Sequence, residues 1–330
     1  MTFKSFARLA AHTQLLPVLE SGQETLVGGQ AVIEGVMMRA PHSYCVAVRK
    51  PNGEMVTEEA MLPRVSDKYP IFKLPVFRGV GTLGQAMWLG VKALKFSANA
   101  SLDENSPEAK KQNGKPQEIS SWLMALNLLF SFSFFIFLYK FVPLYLTTVL
   151  ENFFPALEGR VAFNLVDGAI RMAIFLAFLY MISRLQDIRR VFEYHGAEHK
   201  VVFNFESGKP VTVDNAQAFT TLHPRCGTSF LLVVMTVSTL VYTIVPVDGF
   251  AAKMISRVVL LPVIAGLSYE LIRFAAKRRG GLLATMTAPG LWLQKITTQP
   301  PSDNQTEVAI HALNGAMALE EKQGGELVIA

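Results

Sequence analysis

WLMALNLLFSFSFFIFLY, residues 122–139, carries no charge, and beyond Lys140 the apolar character resumes from Phe141 to Leu150. A helix rises about 1.5 Å per residue, so this stretch is long enough to cross a hydrocarbon core of about 30 Å. Three further segments read the same way. One is centred on 169–182, with Asp167 and Arg171 near its start; a second, 229–247, is free of charge; a third, 258–272, ends at Glu270 and Arg273. Asp167 and Arg171 stand four apart, the spacing of a pair on one helical face. Across the 330 residues only 17% are charged and 51% are apolar, whereas a soluble domain has about 25% charged. The expected fold class is mainly α: a polytopic helical membrane protein with about four transmembrane helices and a small N-terminal cytoplasmic α+β segment.

The positions of the lysines and arginines set the expected orientation, because short cytoplasmic loops hold them in excess. They crowd the segment before the first span (Lys92, Lys95, Lys110, Lys111, Lys115), the segment between the second and third (Arg184, Arg189, Arg190, Lys200, Lys209, Arg225), and the stretch after the fourth (Arg273, Lys277, Arg278, Arg279, Lys295). The two remaining loops hold Arg160, Lys253 and Arg257. Both termini are therefore expected in the cytoplasm. No apolar core of a cleavable signal follows Met1, so the first span is expected to direct insertion. Cys45 and Cys226, the only two cysteines, read as free thiols of a reducing compartment. The net charge of +5 is spread over membrane-flanking loops without an aromatic platform. It suits anionic lipid as a partner and does not point to nucleic acid.

Chemistry concentrates in His195-Gly196-Ala197-Glu198-His199, an HxxEH segment in a helical pattern. Positions four apart share a helical face, so both imidazoles can reach one ion, and Glu198 is placed to take a proton from a water that the ion activates. Leu185, Ile188, Phe192 and Val202 step along the same stripe, whereas Asp187, Arg190 and Lys200 lie opposite, so the histidines are expected to point inward. A catalytic zinc takes three protein ligands and keeps a position open. The third candidate is His223 or Cys226, in a segment on the same face, or Glu270, a carboxylate at a span end. A plain interior histidine pair, a buried inert thiol at Cys226, and an ion pair of Glu270 with Arg273 or another interfacial cation are the competing accounts. Cys226 as a nucleophile is a further one. Glu193 faces away from the pair and supports the site from outside or faces solvent. Glu34, Arg39 and Arg225 complete the candidates.

The remaining texture divides the chain. Residues 1–100 read as a cytoplasmic β-rich unit, with a hairpin turn at Asn52-Gly53, followed by a helix at 74–94 lying on the membrane surface or packed on the bundle. Residues 101–120 are polar and proline-bearing, a linker; 121–297 hold the four spans and the HxxEH segment; and 298–330 are a second linker and a modest amphipathic cytoplasmic helix.

Five segments, GQAVIEGVMMR (29–39), FEYHGAEHK (192–200), HPRCGTSF (223–230), SYEL (268–271) and PGLWLQ (289–294), resemble the YqhQ-like family of bacterial membrane proteins. That family is a domain of unknown function described as a predicted metal-dependent enzyme. The resemblance covers nearly the whole chain and implies a multi-pass protein of a bacterial plasma membrane. Two functions follow as expectations. One is a metal-dependent hydrolase acting on a membrane-associated substrate, with zinc as the leading divalent ion, iron or manganese as fitting ones, and Glu198 as general base. The other is a scaffold or assembly factor for a partner protein, in which the metal is structural. A small transporter is a third reading, weakened by the lack of ionisable groups in the first and third spans.

Overall fold

The computed structural model describes residues 27–63, 65–102, 120–223, 226–277 and 281–322. The expected linker at 101–120 therefore lies almost wholly outside the described residues. Four strands, β1 (Gly28–Val32), β2 (Gly35–Arg39), β3 (Ser43–Arg49) and β4 (Met55–Met61), form one antiparallel sheet in sequence order. Glu34 turns β1 into β2 with φ 52°, and Gly53 closes the β3–β4 hairpin with φ 87°. β2 and β3 are buried along nearly their whole length, because helices cover both faces of the sheet. Side chains alternate between the faces of a strand. Val36, Met38, Cys45 and Ala47 accordingly meet the HxxEH helix and the last helix, while Met37, Tyr44, Val46 and Val48 meet Leu89 and Ala93 of the first long helix.

That first helix is α1 (Phe77–Ala100). It packs rather than lying free: Gly90 abuts the Gln30 side chain, and Gly79 abuts Tyr269. Next come α2 (Ser121–Ile136), a π-helical turn (Phe137–Phe141) and α3 (Val142–Glu151), then α4 (Arg160–Ile182), α5 (Gln186–Glu206), the short α6 (Val213–Gln217) and α7 (Gly227–Ile244). The helices α8 (Phe250–Val259), α9 (Leu261–Lys277), α10 (Gly281–Thr297) and α11 (Asp303–Lys322) complete the order. Among the described residues, three helical stretches are long and apolar enough to cross a membrane: Trp122–Glu151, Arg160–Ile182 and Gly227–Ile244. The expected fourth span is a bent pair, Phe250–Val259 and Leu261–Phe274, with 52° between its halves. Pro262 explains the break, since it lacks the N–H that would bond the Val258 carbonyl.

The expected C-terminal amphipathic helix is present as α11, and its apolar face is buried. Val308, Ala309, Ala312, Leu313 and Ala316 of α11 are buried against the sheet and α5. The β-sheet and α11 thus share one core with α5, although the apolar helices separate them in sequence. α4 and α7 pack antiparallel: Asn164, near the start of α4, bonds the carbonyl of Tyr242, near the end of α7, at 3.3 Å. The start of α7 and the end of α4 therefore face the sheet-and-α11 head, and the loops at 152–159 and 245–249 lie at the far end.

Candidate metal centre

The centre of α5 is where head and bundle meet. His195 Nδ1 donates to the Thr297 carbonyl at 2.8 Å, and His199 Nδ1 donates to the Thr221 carbonyl at 2.5 Å. Because carbonyls only accept, each ring must carry its proton on Nδ1, leaving the Nε2 lone pair free. Both lone pairs are directed into the same space. His195 Nε2 lies 3.2 Å from Cys226 Sγ, and each Nε2 lies 3.9 Å from Glu198 Oε2. The ligand atoms of His195, His199 and Cys226 all fall within 4.8 Å of one another. Fixing Nδ1 on a backbone carbonyl is the usual way to orient a metal-binding imidazole.

Local sequence explains the close approach. A side chain at Gly196 would fall on the Gln299 carbonyl oxygen, and the Gln299 N–H bonds Phe192 O at 2.9 Å. Only glycine lets the 297–299 backbone run against α5 and present the Thr297 carbonyl to His195. Gly29 has a similar part, for a Cβ there would meet Glu198 Cγ at 2.6 Å, and its own N–H donates to the Glu198 carboxylate.

Burial sets the protonation states. It pushes Glu198 up to about 7, partly offset by the Gly29 N–H. It also lowers His195, against the Thr297 bond, and drives His199 well below its ordinary value, helped by His195 and His223. Both rings are therefore neutral near pH 7 and available as donors to a cation. The Cys226 thiol is raised to about 11 by burial and by Glu198, so in the metal-free site it keeps its proton and is a poor nucleophile.

The other candidates are placed elsewhere. His223 lies beside His199, ring centroids 5.5 Å apart and tilted by 41°, but its Nε2 lies 3.5 Å from Glu206 Oε2. Its backbone is clasped by Gln294, which accepts from His223 N at 2.7 Å and donates to His223 O at 2.8 Å. Glu270 is drawn to Arg78 (Nε to Oε1 2.5 Å) and accepts from the Val76 N–H at 3.2 Å, which ties down Val76 at its positive φ of 69°, at the start of α1. Arg273 only adds to the field there. Glu34 bonds Arg190 through Oε2 at 2.6 Å and Tyr194 at 3.3 Å, clamping the β1–β2 turn onto α5. Glu193 accepts from Gln305 at 2.9 Å. Arg39 ends β2 and is not among the convergent ligands; Arg225 lies outside the described residues. Sequence reasoning gave no part to Thr221, Thr297 or Gln294. The two threonines act through backbone carbonyls, which leave no residue-type signal, and Gln294 was visible only as part of PGLWLQ.

Residues 74–319 match the family model described as "Protein of unknown function (DUF1385)". The chain belongs to this family. The Bacillus subtilis (strain 168) protein YqhQ, described as uncharacterized, is 37% identical over 299 residues, spanning 89% of this chain and 92% of its own. No solved structure matches the chain. Membership therefore comes without an assigned reaction.

Proposed function

We propose that this protein is a multi-pass protein of the bacterial plasma membrane with a divalent metal centre, zinc by preference, on His195, His199 and Cys226, serving hydrolysis of a membrane-associated substrate. The observation that carries the metal is the pair of Nδ1 bonds to Thr297 and Thr221, which leaves two neutral Nε2 lone pairs beside a thiol sulfur. Nitrogen and sulfur donors suit zinc. When bound, such an ion supplies Lewis acidity and makes water a better proton donor. The chain supplies the rest: Glu198, with its proton balance near pH 7, accepts a proton in the same space, and the Gly29 N–H steadies its carboxylate. The membrane reading rests on the face of Trp122–Glu151, where Trp122, Leu129, Phe130 and Phe132 stand exposed. Apolar patches that large require a cover, and lipid fits a stretch of this length.

One observation favours the scaffold alternative. Glu198 Oε2 is equidistant from both imidazoles, a place from which it can also become a fourth ligand and close the site. Glu198→Gln separates the two. As general base, its loss should leave metal content intact while cellular complementation or turnover falls about 10²- to 10⁴-fold. As a fourth ligand, its loss should reduce metal content. Full complementation with full metal content would rule out the catalytic role. Purified wild type with no bound transition metal would overturn the centre itself.

A further inference from the structure

A second polar cluster lies within the apolar bundle, remote from the histidines. Asp167 on α4 is fully buried and accepts from Arg171 and, at 2.5 Å, from Arg257 Nη1. Arg171 also donates to Ser238. Both guanidinium groups stand 5.2 Å from the Tyr242 ring. Lys140 Nζ lies 3.1 Å from the Tyr242 hydroxyl, which itself donates to Arg257 O at 3.2 Å. Lys140, Arg171 and Arg257 are 5%, 2% and 2% exposed, and Asp167 is the carboxylate that stands among them. Unbalanced buried charge is expensive, and in an apolar bundle it marks a ligand or ion site rather than a stabilising device.

The backbone is broken at both places that deliver these cations. Lys140 sits in the π-helical turn Phe137–Phe141, opened where Pro143 cannot bond the Tyr139 carbonyl; such turns recur at functional sites. Arg257 occupies the last turn of α8, just before the 52° bend. A cavity of about 210 Å³ opens at the far end of the bundle onto this cluster, with Arg257, Tyr242, Asn164 and Ser256 among its lining. At its rim Glu151, Glu158 and Asp248 outnumber Arg160 and Lys253 by one charge, so an anion would be held at the floor, where Arg257 stands with Lys140 and Arg171 behind it.

We propose that this cavity binds a phosphate-class oxyanion, with Arg257 as the contact residue and Lys140 and Arg171 supplying the field behind Tyr242. Arginine presents several donors in a fork that suits the oxygens of phosphate better than a halide. The source is either free phosphate or a lipid headgroup.

The test is thermal unfolding of the full chain in detergent with sodium phosphate against sodium chloride at equal ionic strength, and in nanodiscs of phosphatidylcholine with or without phosphatidylglycerol. A bound anion raises the midpoint by mass action. The expected result is a rise with phosphate, or with phosphatidylglycerol where the headgroup is the ligand. The rise should disappear in Arg257→Gln. Lys140→Met should raise the midpoint without anion, by removing an unbalanced charge, yet weaken the anion's effect, with apparent affinity down roughly tenfold or more; Lys140→Arg should retain it. If Arg257→Gln does not fold, Lys140→Met decides. No rise with either probe, or an unchanged anion effect in Lys140→Met, overturns the proposal.

Discussion

Gly196 shows how much of the centre depends on one missing side chain. The Gln299 carbonyl occupies the space a Cβ would need, and the same strand of backbone carries the Thr297 carbonyl that fixes His195. Gly196→Ala should push this segment away and cost about 1–3 kcal/mol, the usual range for overpacking. His195 loses its orienting bond with it. The expected outcome is reduced metal content together with a lower unfolding midpoint; a variant with normal metal and normal midpoint would show that the backbone contact does not matter. Cys226 gives a prediction with a sign. Its thiol holds its proton up to about pH 11 in the metal-free site, so binding an ion through sulfur must release that proton. Zinc affinity should then rise about tenfold per pH unit between pH 7.5 and 9. Below about pH 7 it should fall more steeply, because Glu198 also becomes protonated there. The histidines, lowered by burial, add nothing to the slope in this range. Competition with a chromophoric chelator measures it, and a flat profile would exclude the thiol as a ligand; Cys226→Ser should flatten it. The two helical histidines and Glu198 were legible from spacing alone. Cys226 and His223 were not separable in the sequence, because only the packing of α10 on the start of α7 decides which of them meets α5.

Among the elements, α11 was legible as a helix but not in what it packs against. Its buried face is built from Ala309, Ala312 and Ala316 with Val308 and Leu313, and alanine signals helix without marking a face. Those small side chains let the helix approach the sheet closely, so that a Cβ at Gly315 would meet Cys45 Sγ at 2.6 Å. Glu320 then fastens the end of the helix, accepting from the Ser43 hydroxyl at 3.0 Å and from the His42 N–H at 3.0 Å. Ala312→Asp places a charge at a fully buried position and is expected to destabilise the head by more than about 3 kcal/mol. Limited proteolysis should then cut the sheet region faster than wild type, while the apolar helices stay resistant. Equal proteolysis rates would mean that α11 does not hold the head together. By contrast, the β3–β4 hairpin was plain from Asn52-Gly53, since its turn chemistry is local. The break between α8 and α9 had a local signal too, Pro262, which apolar length outweighed when the segment was read as one span.

At the scale of the whole molecule, the same charges that suggest an orientation also limit it. Lys200 and Lys209 belong to the head, where Lys200 Nζ bonds the Gln217 and Phe219 carbonyls at 2.7 and 2.6 Å. Arg257 lies within the bundle rather than in a loop: it is buried and bonded to Asp167, and therefore should not be counted among loop charges. Removing it leaves only Arg160 and Lys253 at the far end, which strengthens the basic asymmetry on which the positive-inside argument rests. The fold adds an independent constraint. α4 and α7 run antiparallel, so the 207–212 turn and the 245–249 loop are at opposite ends of the bundle whatever the membrane does. If the bundle spans the plasma membrane with its head in the cytoplasm, a periplasm-dependent phosphatase fused after Gly208 should be inactive and one fused after Asp248 active. A cytoplasm-dependent fluorescent fusion should give the reverse pattern. Activity at Gly208 with none at Asp248 would invert the orientation and put the metal centre outside the cytoplasm, while the same behaviour at both positions would contradict insertion of α7.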